Sequence, residues 1–237
     1  MNILQKYLEE RHKEQDKHKN YGEPGPVVTI SRDFGCSGKF LAQKLAFLLN
    51  ESKLGDTVKG KWKVVSKEIL EQAAHELEMD PSEIEYVFKY EKKSDIDEIL
   101  GALSTKYYKS DRMIRNTIKK MIYTFALKGN VIILGRGGEI ITKDIEQSLH
   151  VRLIAPFQWR VAEIKKRFDY SKVKEAKSHV EDIDKKRADF KRDIAGKEFD
   201  NTLYDVIFNV TTFSFEQMAE IIMNMMEMTN MIKENDK

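Results

Sequence analysis

The stretch Val27-Val-Thr-Ile-Ser-Arg-Asp-Phe-Gly-Cys-Ser-Gly-Lys-Phe-Leu41 decides the fold. Val27–Ile30 is a short, β-branched run of the kind that forms a strand buried on both faces. From Lys39 to Asn50 the period changes, and Phe40, Leu41, Leu45, Leu48 and Leu49 share one helical face. Between the two, Gly35 and Gly38 let the backbone turn tightly, so that successive N–H groups point inward at a phosphate. The helix that begins near Lys39 adds its positive end, and the Lys39 ammonium extends to terminal phosphates. The spacing therefore predicts a phosphate-binding loop over Ser31–Lys39. Its expected contacts are Ser31, Arg32, Gly35, Cys36, Ser37, Gly38, Lys39 and Phe40.

The match to a strict Walker A pattern, G-x-x-x-x-G-K-[ST], is degenerate. Asp33 replaces the first glycine, and Phe40 stands where a Ser or Thr would hold magnesium. The competing reading is a strand-to-helix connection that needs glycines only to turn. Cys36 reads as a small residue that fits the loop rather than as a reactive thiol.

Outward from the loop, short apolar runs alternate with helical patterns. Trp62–Val65, Asn130–Leu134, Leu149–Ile154 and Val206–Val210 are the further strands. A helix is expected from Lys67, and others over 81–93, 105–128, 157–169 and 176–195. Asp80-Pro-Ser-Glu83 has the residues of a helix start, and Gly129 those of a helix stop. Ser214-Phe-Glu-Gln217 has the residues of a capping box, and the methionines from Met218 to Met228 fall at helical spacing and read as core. Such alternation implies a parallel sheet covered on both faces by right-handed crossovers. The first 25 residues read as a charged arm ending in a Gly/Pro linker, 26–228 as one domain, and 229–237 as a tail.

Composition narrows the function. Of 237 residues, 41 are basic and 39 acidic, interspersed to a net +2, which gives no field to draw the chain onto nucleic acid. The single cysteine rules out an intramolecular disulfide and a cysteine-based zinc site. The opening residues run straight into charge, and no apolar stretch approaches the roughly 18 residues needed to span a bilayer. The expectation is a cytoplasmic protein without membrane or nucleic-acid partners.

Several segments together resemble one family. Thr29-Ile-Ser-Arg-Asp-Phe-Gly-Cys-Ser-Gly-Lys39 is similar to the I-S-R-[ED]-[FY]-G-S-G-G-[RK] signature of cytidylate kinase-like proteins, an offshoot of the nucleoside monophosphate kinases. Val131-Ile-Ile-Leu-Gly-Arg-Gly137, Val151-Arg-Leu-Ile-Ala-Pro-Phe157, Asp184-Lys-Lys-Arg-Ala-Asp-Phe190 and Tyr204-Asp-Val-Ile-Phe-Asn209 resemble its later elements in the same order. The resemblance covers about residues 26–228. It implies a P-loop α/β fold with a five-stranded parallel sheet in the order 2-3-1-4-5. It also implies a helical acceptor-binding insertion over about 66–128 and an arginine-bearing lid over about 170–200. The activity it implies is phosphoryl transfer from ATP, with Mg2+, to a nucleoside monophosphate, with CMP or dCMP the expected acceptor.

Phosphoryl transfer needs positive charge placed around the migrating group more than covalent chemistry. Lys39, Arg187 and Arg192 are the candidate catalytic cations; the alternative for the lid arginines is a solvated helix face paired with Asp182, Asp184 and Asp189. Arg136 follows a buried strand at its C-terminal end, where open α/β sheets bind ligands, so it either grips an acceptor phosphate or satisfies loop carbonyls. Arg112 and Arg115, three apart on one helix, are further acceptor-binding candidates against a solvated-face alternative. Gly137 stands where authentic cytidylate kinases carry an aspartate that supports acceptor recognition, which predicts weak discrimination between acceptors. A nucleotide-binding regulatory module with little catalysis is the alternative function, favoured by the missing magnesium hydroxyl.

Overall fold

The structure is a computed structural model that describes residues 25–52, 60–78, 111–196 and 200–232. Strands β1 (Val27–Arg32), β2 (Lys63–Val65), β3 (Val131–Leu134), β4 (Ser148–Ile154) and β5 (Val206–Asn209) form one sheet in the order β2-β3-β1-β4-β5. Every pairing is parallel, with Thr29 opposite Ile133 on one side and His150 on the other. The order and direction are those the sequence implied.

Alternation along β1 splits the core in two. Val28 and Ile30 face one layer, in which Leu41, Leu45 and Leu49 of helix α1 (Gly38–Glu51) meet the last helix. Val27 faces the other, in which α2 (Lys67–Leu77) and α3 (Asp111–Lys128) bring Ile69, Ala73, Ile114, Ile118 and Ile122 onto Val131 and Ile133. These aliphatic side chains are fully buried, each contributing about 1.5–3 kcal/mol by removal from water. A third, smaller cluster joins α5 (Phe157–Arg167) to α6 (Val173–Ala195) through Val161, Ile164, Ala176 and Val180. Phe34 of the glycine loop packs against that cluster.

Local signals end the helices as the sequence suggested. Ser214 and Gln217 form both capping-box hydrogen bonds at the start of α7 (Phe215–Met228), Gln217 N–H donating to Ser214 Oγ at 3.2 Å and Ser214 N–H to Gln217 Oε1 at 2.9 Å. Met218 and Met226 are buried in the core, whereas Met228 is 82% exposed. A one-turn helix, α4 (Gly138–Ile141), follows β3 and was not expected from any periodicity. The sequence-based helix at 81–93 and the arm at 1–24 lie outside the described residues, as does most of the expected insertion.

Candidate active site

The loop after β1, the loop after β3 and helix α6 meet at the C-terminal edge of the sheet. Here β1 lies between β3 and β4, so the strand order reverses and a crevice opens. Gly35 adopts φ 106 and Ser37 φ 49, and α1 starts at Gly38. A Cβ on Gly35 would approach the Cβ of Arg160 to 3.2 Å, a tight contact, and the positive φ would strain any side chain there. Lys39 is exposed on the first turn of α1. Phe40, also exposed, tilts against Phe215 with ring centroids 5.9 Å apart and offers no hydroxyl at the magnesium position. Cys36 is buried in the core, and burial followed by the nearby Asp33 charge pushes its thiol up to about 12, which makes it inert.

A cavity of about 400 Å³ lies between these elements, lined by Ser31, Arg32, Arg136, Gly137, Lys186, Arg187 and Lys191 together with Phe34 and Phe190. Three arginines from three segments thus face one space. Burial, then the charges of Arg187 and Arg136, push the Arg32 guanidinium down to about 9, with only Glu139 acting the other way. Among the described residues Arg32 has no side-chain hydrogen bond or ion pair. Gly135, at φ 73, makes room for it, because a Cβ there would overlap the guanidinium. Arg187 donates to the Arg32 carbonyl at 3.0 Å and lies 5.4 Å over the Phe34 ring. Burial lowers its pKa, and Asp184 and Asp33 oppose that.

A second cavity, of about 350 Å³, shares Ser31, Arg32, Arg187 and Lys191 with the first and adds Asp33, Arg152, Arg160 and Asp184. Its two carboxylates are already paired with two of its arginines. Arg160 pairs with Asp184 and lies 4.0 Å from Asp33, which also receives Arg152 at 3.2 Å. Asp184 accepts the Phe34 backbone N–H at 2.8 Å, so a carboxylate of α6 holds one of the loop's own donors.

The structure brings together Ser31, Arg32, Arg136 and Arg187 of the residues singled out from sequence. Arg192 is exposed and pairs with Asp189 at 2.9 Å, and Arg115 pairs with Asp193 at 3.4 Å; neither lines a cavity. The Arg112 side chain lies outside the described residues. Sequence reasoning passed over Arg160, Arg167 and Glu139 as contributors, and placed Lys191 only among the cations that share a helix with Arg187. Arg167, at the end of α5, donates to Ser37 Oγ at 2.6 Å and so touches the loop directly. Only their residue types were visible; their partners are 24 to 160 residues away.

The model of the cytidylate kinase-like family matches residues 27–212. This chain belongs to that family. A cytidylate kinase-like assignment supports a nucleotide kinase-like function and small-molecule nucleotide substrates. Among solved structures, an uncharacterized protein from Eubacterium ventriosum shares the fold, with a TM-score of 0.58 at 17% identity over 84% of this chain and 97% of the other. No curated protein matches the chain. Among the described residues no helix is long and apolar enough to cross a membrane.

Proposed function

We propose that this cytidylate kinase-like chain transfers the terminal phosphoryl group of ATP to a nucleoside monophosphate, with CMP or dCMP the leading acceptor. The observation that supports this most is Arg32, a guanidinium without a described partner beside Arg136 and Arg187 in one cavity. Like charges held together in a partly desolvated space favour a polyanion between them, and planar guanidiniums match phosphate oxygens two at a time.

The loop N–H groups and Lys39 hold the donor phosphates, with Arg32 beside them. Arg136, at the end of β3, grips the acceptor phosphate. An acceptor phosphate oxygen attacks the γ-phosphorus while the bond to the β,γ-bridging oxygen breaks, and Arg187 neutralises charge on the migrating group. The Phe34 N–H joins the cradle once a phosphate oxygen replaces the Asp184 carboxylate. Asp33 and Asp184 in the second cavity are the carboxylates that would hold a magnesium ion, which would supply charge neutralisation at the nucleotide phosphates. Both are engaged by arginines, and Phe40 supplies no oxygen. These two features favour a second reading, a nucleotide-binding module with weak turnover.

An assay of ADP release separates the two. The full chain is incubated with ATP and Mg2+ against CMP, dCMP, UMP and AMP in parallel. Acceptor-stimulated, Mg2+-dependent release is the expected result. Tight ATP binding with no release above background would favour the regulatory module. A hundredfold preference for CMP, worth about 2.7 kcal/mol, would show that residues other than the one replaced by Gly137 read the base.

A further inference from the structure

A buried polar chain runs behind both cavities. Glu139 of α4 has no solvent exposure and pairs with Lys191 of α6 at 2.7 Å. Lys191 also donates to Ser31 Oγ at 2.5 Å and to the Tyr204 hydroxyl at 2.8 Å. Tyr204 lies 3.2 Å from Glu139 Oε1 and 3.4 Å from Ser31 Oγ. Four segments far apart in sequence therefore meet in one network, in which Lys191 and Tyr204 approach the serine hydroxyl and Glu139 holds both of them.

Proton counting decides what that hydroxyl can do. Lys191 can only donate, so Ser31 Oγ must accept from it. Tyr204 also accepts from Lys191, and its single proton goes to the charged carboxylate, the stronger acceptor. Ser31 is left with its own proton to give. Tyr204 at 3.4 Å is beyond the usual 2.5–3.0 Å range for O–H···O bonds. The serine is buried, yet it lines both cavities.

We propose that Glu139, acting through Lys191, is a positioning residue that biases the Ser31 hydroxyl toward donating to a phosphate oxygen of the bound nucleotide. Without the ammonium the hydroxyl could point its proton in any of three staggered directions; with it, one direction is taken by the lone pair that accepts from Lys191 and the proton keeps the other two. The carboxylate keeps the ammonium from turning into the cavity to meet the phosphate itself. The inference rests on the phosphate-site reading and deepens it, because it assigns one neutral donor among the cations and the residues that aim it.

The test is a double-mutant cycle on the full chain, read as ATP and CMP dissociation constants by calorimetry rather than as turnover. Ser31→Ala should weaken ATP or CMP by about 10- to 100-fold, the range for a hydrogen bond to a charged group. Glu139→Gln should weaken the same ligand about 3- to 10-fold in the presence of Ser31, and by less than twofold in the Ser31→Ala background. A merely structural glutamate would give equal losses in both backgrounds, and that additivity would overturn the proposal. Thermal unfolding shows whether Glu139→Gln folds; if it does not, the same cycle is run with Tyr204→Phe, which removes an acceptor of Lys191 without touching a charge, and the same two outcomes decide. A wild-type chain that binds neither ATP nor CMP overturns the phosphate site and this inference together, whereas binding with additive losses overturns the inference alone.

Discussion

The two cavities share a wall of Ser31, Arg32, Arg187 and Lys191 and differ in what balances their charge. On the β3 side, the described lining residues include arginines and lysines but no carboxylate. On the β4 side, Asp33 and Asp184 are woven into pairs with Arg152 and Arg160. Lys186 and Lys191 on the β3 side take their carboxylates, Asp182 and Glu139, from outside the cavity lining, whereas on the β4 side the carboxylates stand in the lining itself. The contrast teaches how a fold tolerates clustered arginines: it pairs Arg152 and Arg160, which hold the loop, with carboxylates, ties Arg187 to a backbone carbonyl, and among the described residues leaves Arg32 without a side-chain partner.

Substitutions on the two sides should therefore act on different quantities. The largest expected effect is on catalysis: Arg187→Ala should lower kcat by roughly 100-fold, less than the 10³–10⁵ of a lone arginine finger because other cations remain. ATP affinity should change only a few-fold in the same variant, which calorimetry beside steady-state rates would check. Equal losses from Arg192→Ala, whose side chain pairs with Asp189 away from both cavities, would reduce Arg187 to surface charge. Arg167→Ala is no neutral control, since that side chain reaches Ser37.

A smaller pair of effects should have opposite signs. Asp184→Asn should cost about 1–2 kcal/mol of stability, because it leaves Arg160 short of a charged partner and weakens the Phe34 N–H bond. Arg32→Met should leave stability unchanged or raise it by up to about 1 kcal/mol, while weakening ATP binding. Denaturant unfolding with and without ATP measures both. If Arg32→Met destabilises the apo chain as much as Asp184→Asn, the two halves do not differ as described.

The smallest effect concerns the shared wall and pH. Burial would raise the Glu139 carboxyl, but the Lys191 ammonium, with hydrogen bonds from Lys191 and Tyr204, holds it below the ordinary carboxylate range. A group depressed on folding contributes stability that is present above its unfolded pKa, about 4.3, and is lost as the pH falls through its folded value. The stability difference between wild type and Glu139→Gln should thus be full at neutral pH and shrink in strong acid. A difference independent of pH would mean that the pair adds nothing as a pair.

The sheet was legible in the sequence because strands buried on both faces must be written as short apolar runs. Val27–Ile30, Val131–Leu134 and Leu149–Ile154 could be little else. The glycine loop was legible for a local reason too, since Gly35 takes a conformation that other residues avoid. What stayed hidden depends on distance in the chain. Glu139 sits on a single turn with no period to announce it, and only the return of α6 shows that its carboxylate is buried against Lys191. Arg160, Arg167 and Arg192 look alike as letters on charged helices; pairing with Asp184, Ser37 and Asp189 gives them unlike surroundings.

Phe34 belongs to the loop by sequence and to the α5–α6 pair by packing. Its ring lies between the Arg187 guanidinium and His179, whose ring centroid is 4.9 Å away, and it completes the small cluster that joins α5 to α6. Separating α6 from the loop would therefore uncover an aromatic ring and loosen the turn it grows from, so the loop is expected to open together with α5 and α6. Amide hydrogens of Asp33–Ser37 should exchange at the pace of α5 and α6 rather than at the far slower pace of β1, only one peptide bond away.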